Sequence, residues 1–274
     1  MKHRYLRLIG LGLAITVLAT ACDDATAPDG EAPDIPPATS FVIDFTDFLN
    51  PALAAAPVYQ AEAAAGTNWT RAAVVAGVWN LIITGTLAPP VAAFIASFSQ
   101  TAVWDEDASA WTWSYGFSAL GIQHSARLEA RLIANGVQWD MYITREGSFE
   151  DFHWYTGVSD ASGTSGTWSL NRTPEDPTAF IDIEWNRAAS GDTYDITYTN
   201  VVAGAAENGS YITYGVTDET PYDAFYNLFG AQGNNLTEIQ WNRMTKEGRT
   251  RDPAHFEDSD WRCWDADLNN ATCQ

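Results

Sequence analysis

Two periodicities divide the chain. From Asn68 to Phe98 apolar residues run almost unbroken, and the stretch Ala72 to Phe98 holds 27 residues without a charge. After Gln100 the pattern changes to alternation, the period of a half-buried strand. Trp111, Trp113, Tyr115 and Phe117 share one face, with Thr112, Ser114 and Gly116 opposite. Leu128, Ala130 and Leu132 oppose Arg127, Glu129 and Arg131, and Val137, Trp139, Met141 and Ile143 alternate with Gln138, Asp140 and Thr144. The pattern returns in Ile181, Ile183 and Trp185, in Tyr194, Ile196 and Tyr198, in Tyr211 to Val216, and in Ile239 and Trp241. Turn signals separate these runs at Asn135-Gly136, Glu146-Gly147, Ser190-Gly191-Asp192, Asn208-Gly209 and Gln232-Gly233-Asn234.

The uncharged stretch is long enough to span a membrane, but Gly85 and the Pro89-Pro90 pair interrupt it and Asn80 sits in its first half. Two helices fit better, over 68–83 and 90–98, and at 1.5 Å per residue neither crosses a hydrocarbon core of about 30 Å. Thr67 or Asn68 is placed to cap the first, and Pro90 suits the first turn of the second. Core helices are the favoured reading, ahead of membrane insertion and a mobile lid. A sheet with one apolar face must bury that face, and these helices are the natural filling. The predicted fold is mainly β (α+β): a strongly curved antiparallel meander, or partly open barrel, of about ten strands wrapped around two apolar helices. Upstream, Phe41 to Leu49 alternates as well and reads as a strand or an ordered lead-in.

The first residues carry an address. Lys2, Arg4 and Arg7 precede an apolar run from Leu8 to Ala21, too short for an ordinary span and suited to a secretory signal. The run ends Leu18-Ala19-Thr20-Ala21-Cys22, which resembles the lipobox of bacterial lipoproteins, although leucine is more usual where Ala19 stands. The resemblance covers residues 1–22. It implies that residues 1–21 are removed and that Cys22 carries a diacylglyceryl group and an acylated amine, with palmitate-type chains; two or more chains give stable anchoring. The alternative is an ordinary signal followed by a chance cysteine. Residues 23–40, with four prolines and five acids, read as a solvated acidic tether, and 41–274 as one β-rich domain. The expected location is the cell envelope, with the outer membrane favoured and the leaflet open. In its order of elements the body is similar to the half-barrel-plus-helices carriers of bacterial lipoproteins, and more generally to secreted bacterial lipoproteins with no assigned activity.

Charge narrows the partners. The chain has 14 Lys+Arg against 35 Asp+Glu, a formal −21, and loss of the three signal cations takes it to −24. Such a surface repels phosphate backbones and excludes nucleic acid as a partner. Aromatic residues make up 13%, with 12 tryptophans, which points to a large aromatic core, a binding surface or both. With Cys22 acylated, Cys263 and Cys273 remain, and export favours a disulfide that staples the tail.

Candidate chemistry is sparse. The segment Ile-Glu-Trp-Asn-Arg at 183–187 returns as Ile-Gln-Trp-Asn-Arg at 239–243. Each places an arginine beyond a tryptophan at a strand end, so Trp185 with Arg187 and Trp241 with Arg243 are candidate binding platforms for an anionic head group or a sugar ring. The alternative is two core tryptophans with arginines reaching solvent. Glu150, Asp151 and His153 cluster; a carboxylate pair beside a histidine can serve acid–base or metal chemistry, but such a cluster is more often the polar side of a strand. Asp265, Asp267 and Asn269 match the start of a calcium loop, but its glycine and terminal glutamate positions are not filled. No nucleophile elbow, zinc-protease motif or phosphate loop occurs, and no cofactor or metal is expected. The leading expectation is non-catalytic binding of a hydrophobic or amphipathic ligand, or of a partner, at the membrane. The alternatives are a structural or surface-display lipoprotein with a filled core, or a hydrolase with paired carboxylates.

Overall fold

A computed structural model of the chain describes residues 30–48 and 66–273; the lipobox, Cys22 and the first part of the tether lie outside them. The described residues hold fourteen strands: β1 (Val103–Asp105), β2 (Ala110–Ala119), β3 (Ile122–Ile133), β4 (Gly136–Arg145), β5 (Phe149–Ser159), β6 (Ser165–Thr173), β7 (Asp176–Arg187), β8 (Tyr194–Asn200), β9 (Tyr211–Val216), β10 (Ala224–Gly230), β11 (Asn235–Trp241), β12 (Gly248–Arg251), β13 (Arg262–Trp264) and β14 (Asn270–Ala271). Each pairs antiparallel with the next, in sequence order, and β1 does not pair with β14, so the sheet stays open. This is the predicted meander, with more strands than the ten expected. Four of them (β1, β12, β13 and β14) have only two to four residues, too few to register as an alternation.

Periodicity sets the inner face. Trp113, Tyr115, Phe117, Leu128, Trp139, Met141, Ile143, Ile183, Trp185, Ile196, Tyr198 and Ile239 are all buried. Leu132, expected on that face, is exposed near the end of β3, and Trp111 is half-buried against Trp104. On β5 the alternation fails because Tyr142 pairs with His153 and Met141 with Tyr155, leaving Trp154 as an inserted bulge residue. Three inner tryptophans lie across glycines on the neighbouring strand. A Cβ on Gly157, Gly166 or Gly248 would meet the indole of Trp168, Trp185 or Trp264 at 2.2, 2.8 and 2.3 Å respectively. Each large ring thus occupies space its partner leaves empty, which packs the aromatic face of a curved sheet densely.

The concave face is filled in two ways. Residues 41–48 form an ordered lead-in rather than a strand, preceded by a short 3-10 turn at Ala38–Ser40 and ending in another at Thr46–Phe48. Its alternation is real, since Phe41, Ile43, Phe45 and Phe48 are buried. Its carbonyls, however, are taken by side chains. Trp168 Nε1 donates to the Ser40 carbonyl at 2.9 Å, Tyr198 to that of Phe41 and Tyr226 to that of Asp44, and Trp241 Nε1 reaches the Asp47 carboxylate at 2.8 Å. Donors from β6, β8, β10 and β11 therefore hold the lead-in along the sheet. Residues 31–40, read from sequence as part of the tether, depart from that reading: Pro36 and Ser40 are buried, and Ala32 and Ile35 pack on the core. The few apolar residues in this stretch are enough to bring it down onto the domain.

The second filling is the helix pair, α1 (Asn68–Thr86) and α2 (Ala88–Ser97). Thr67 caps α1 by accepting from Thr70 N at 3.1 Å. Gly85, expected to break the helix, lies inside α1, and the break falls at Leu87 before Pro89 and Pro90. The axes bend by 77° there, and no single described helix is long and apolar enough to cross a membrane. α1 packs on β12 and β13, near one end of the sheet, and α2 on β2 and β4, near the other. The pair thus bridges the two ends of the open sheet.

The start of α1 is tied to the C-terminal strands. Asn68 Nδ2 donates to the Cys263 carbonyl at 2.8 Å, and Asn68 N to Asn270 Oδ1 at 2.7 Å. Cys263 and Cys273 form the expected disulfide. Arg71 donates from Nε and Nη2 to Asp252 Oδ2 at 3.0 and 2.6 Å. Asp252 is fully buried, receives Asn235 Nδ2 as well, and caps the short helix α3 (Pro253–Phe256).

Candidate ligand-binding cleft

Where the helices leave the sheet, a cleft of about 710 Å³ opens between α1, α2, the lead-in and β2. This lies within the ~300–1,000 Å³ range of small-molecule sites. Val42, Ile43 and Phe45 come from the lead-in, Ile83, Leu87, Val91 and Ile95 from the helices and their junction, and Phe117 from β2. Local sequence explains the opening. From Ala72 onward α1 carries no charge and no strongly polar face; its first half buries Ala72, Ala73, Val74 and Ala76 while its last turns run past the sheet with Leu81 and Ile82 exposed. The 77° bend then turns α2 back toward β2, and the angle between helices and strands stays open.

Among the described residues the lining contains no Asp, Glu, Lys, Arg or His. Its polar groups are Asn80, Thr84, Ser99, Gln100, Ser118 and Tyr198. Most are already engaged: Thr84 Oγ1 donates to the Asn80 carbonyl at 2.7 Å, Ser99 Oγ to the Ala96 carbonyl at 3.0 Å, and Gln100 Nε2 to Ser99 Oγ at 2.8 Å. Tyr198 is buried and its hydroxyl holds the Phe41 carbonyl; burial pushes that phenol far above its ordinary value, so it stays neutral. The Asn80 carboxamide, half-buried on the α1 wall, has no hydrogen-bond partner among the described residues. Around the cleft the rim is apolar. Ile95, Phe98 and Ile122 are partly exposed, and Leu120 is 77% exposed at the tip of the β2–β3 hairpin. Leu120 has φ +50°, a left-handed conformation uncommon for a branched apolar residue.

The Trp-Arg repeat lies elsewhere. Trp185 and Trp241 are core residues, 1% and 2% exposed. The Trp185 indole N–H has no partner among the described residues, and Trp241 borders a smaller cavity of about 370 Å³ with Asp47, Phe48, Trp69 and Trp264. Arg187 turns to its neighbour's carbonyl, and Arg243 pairs with Asp223 at 3.1 Å. The guanidinium–ring contacts among the described residues are made by Arg127, Arg172, Arg249, Arg251 and Arg262.

The carboxylates also fall outside the cleft. On the outer face Glu129 and Asp140 sit opposite each other on β3 and β4. Two like charges in that register repel, and Arg131 bridges both while Arg127 pairs with Glu129 and Asp151. His153 reaches Asp140 at 3.0 Å and stacks on Tyr142, which Arg127 covers at 4.2 Å. Burial alone would raise the Asp140 pKa; bonds from His153 and Thr156 and the His153 and Arg131 charges outweigh it and hold the carboxyl below its ordinary value. Arg127, Arg131 and His153 thus sit among three carboxylates, and the network ties β3, β4 and β5 together. Asp265 accepts from the backbone N–H groups of Asp267 and Asn269, closing a turn, and no group of three His, Cys, Asp or Glu among the described residues is placed to hold a metal ion.

Sequence reasoning missed the cleft because its residues come from four segments that each read as core. One signal was available: Asn80, the only carboxamide in the uncharged stretch, on an otherwise apolar helix. In comparisons with known proteins, no family model, no curated protein and no solved structure matches this chain.

Proposed function

We propose that this protein is anchored to the cell envelope through acylated Cys22 and holds a hydrophobic or amphipathic ligand, drawn from the membrane, in the cleft between α1, α2, the lead-in and β2. The observation that carries this reading is the cleft's uncharged lining in a chain of net charge −21. An apolar hollow of that size left open to water is unfavourable, and an apolar ligand entering it removes that cost. The lipobox-like end of the signal supplies the anchor, and the acidic surface disfavours nucleic acid and anionic lipid faces.

A second reading is a display or scaffolding lipoprotein. It draws support from the lead-in, which fills much of the concave face with Phe41, Ile43, Phe45 and Phe48. Native mass spectrometry separates the two. The full chain carrying Cys22→Ser, so that no acyl group of its own competes, is purified gently and weighed before and after denaturation. A lipid-sized adduct released on denaturation is the expected result. An unmodified mass that stays unchanged after exposure to envelope lipid extract overturns the ligand reading and favours the scaffold.

A further inference from the structure

Resting on that reading of the cleft, we infer that its ligand is a single-chain amphiphile with an uncharged, hydrogen-bonding head, of the monoacylglycerol or fatty-alcohol class, rather than a fatty-acid anion or an alkylammonium cation. The argument begins with what a charged head would meet. Moving an ion into an apolar site without a counter-charge is heavily penalised, and none of the lining residues supplies one. Among the described residues the charge adjacent in sequence to the lining is Asp44, between Ile43 and Phe45, while Asp47 and Arg71 lie further along the lead-in and α1 and His124 stacks behind Phe117 without lining the cleft. Asp44 is exposed and accepts from Thr46 N at 2.9 Å, so it adds repulsion for an anion without offering an ion pair inside.

The head must still find polar partners. Ser99, Gln100 and Thr84 are partly satisfied within the protein, whereas Asn80 has both its carbonyl oxygen and its amide N–H groups unpartnered among the described residues. A carboxamide both donates and accepts. It therefore matches a hydroxyl or a hydroxyl-bearing ester, which also do both, and it cannot neutralise a carboxylate or replace the acceptors an ammonium needs. The hydrocarbon part has Ile83, Leu87, Val91, Ile95 and Phe117 to lie against.

The test uses three probes with one chain, 1-monooleoylglycerol, oleate and oleylammonium, each kept below its aggregation concentration at pH 8. They compete for the full chain carrying Cys22→Ser, read by quenching of tryptophan fluorescence and by native mass. The expected order places monooleoylglycerol at least about tenfold tighter than either ion, a modest fraction of the penalty for an unpaired buried charge. Asn80→Leu is expected to weaken monooleoylglycerol about three- to tenfold, the worth of one hydrogen bond, and Asn80→Lys to turn the preference toward oleate. Unchanged near-ultraviolet dichroism checks that each variant is folded. Oleate or oleylammonium binding as tightly as the neutral probe to the unsubstituted cleft overturns the head-group assignment and leaves the cleft reading standing. Failure of all three probes to bind overturns the cleft reading itself.

Discussion

The two ends of α1 follow opposite rules. The first two turns are capped by Thr67, tied by Asn68 to the Cys263 carbonyl and to Asn270, and locked by Arg71 onto buried Asp252. The last two turns carry Leu81, Ile82, Thr84 and Thr86 into solvent, and the side-chain hydrogen bonds of Thr84 and Thr86 stay within the helix. One end is fixed by polar groups that are costly to leave unmet; the other is apolar surface with little beneath it. Stability and the proposed ligand binding would then depend on different halves of one helix, so substitutions can separate them.

The largest effect is expected where polar groups are buried. Arg71→Leu leaves the Asp252 carboxylate without its cation, and breaking such a pair costs about 3–5 kcal/mol, measured as a lower urea midpoint. Burial by itself raises the Asp252 pKa; the Arg71 and Asn235 hydrogen bonds and the Arg71 charge overcome this and hold it below its ordinary value. A carboxyl lowered in the folded state contributes stability above its unfolded pKa of about 3.9 and loses that contribution as pH falls through the folded value. Asp252→Asn is therefore expected to flatten the loss of stability below about pH 4. An unchanged acid profile would show that this end of α1 is held by packing alone.

Next comes the staple. The pair Cys263→Ser and Cys273→Ser removes a short loop closure, with an expected loss of about 2–3 kcal/mol. Because Asn68 bonds the Cys263 carbonyl, the loss should appear together with faster amide exchange in the first turn of α1. Loss of stability with no change of exchange in that turn would separate the disulfide from the helix. Smaller again is Tyr226→Phe, which keeps the ring and leaves the Asp44 carbonyl without its donor. Loss of a partly buried neutral hydrogen bond costs about 0.5–1.5 kcal/mol, read as a shift in thermal midpoint, and a shift near zero would mean that the lead-in is held by its aromatic side chains rather than by its carbonyl bonds.

This division also explains what the sequence made legible. Alternation such as Val137, Trp139, Met141 and Ile143 is local, so the meander and its buried face could be read directly. β5 escaped because the bulge at Trp154 shifts the phase, and β12 to β14 because two to four residues hold no period. The lead-in carried a strand-like alternation, yet its carbonyls at Ser40, Phe41 and Asp44 accept from side chains of three distant strands and its Asp47 carboxylate from a fourth, a pairing no local pattern encodes. Glu129 looked like an outward polar residue and is outward, yet it is buried beneath Arg127 and Arg131, as its flanking arginines could have suggested. The Trp-Arg repeat marked recurring strand geometry, with both indoles in the core and each arginine directed elsewhere. Of the cleft only Asn80 gave a sign, because the hollow itself is set by the angle between two helices and the end of a sheet.

The smallest stability effect is expected to accompany a clear effect on binding, and that pairing tests the division most sharply. Ile95 lies on α2, lines the cleft and is 45% exposed. Ile95→Gln keeps helix propensity and length while removing apolar surface that is half in water already, so folding should change by no more than about 0.5 kcal/mol. A ligand chain lying in the cleft would cover that surface, and losing roughly 40 Å² of apolar contact at about 25 cal/mol per Å² costs about 1 kcal/mol, near a fivefold weaker affinity. The same titration with Arg71→Leu, under conditions where that variant remains folded, should give unchanged affinity because Arg71 lies at the far end of α1 from the cleft. If Ile95→Gln lowers stability as much as binding, the last turns of α1 and α2 belong to the core. If it lowers neither, the ligand does not lie where the uncharged lining places it.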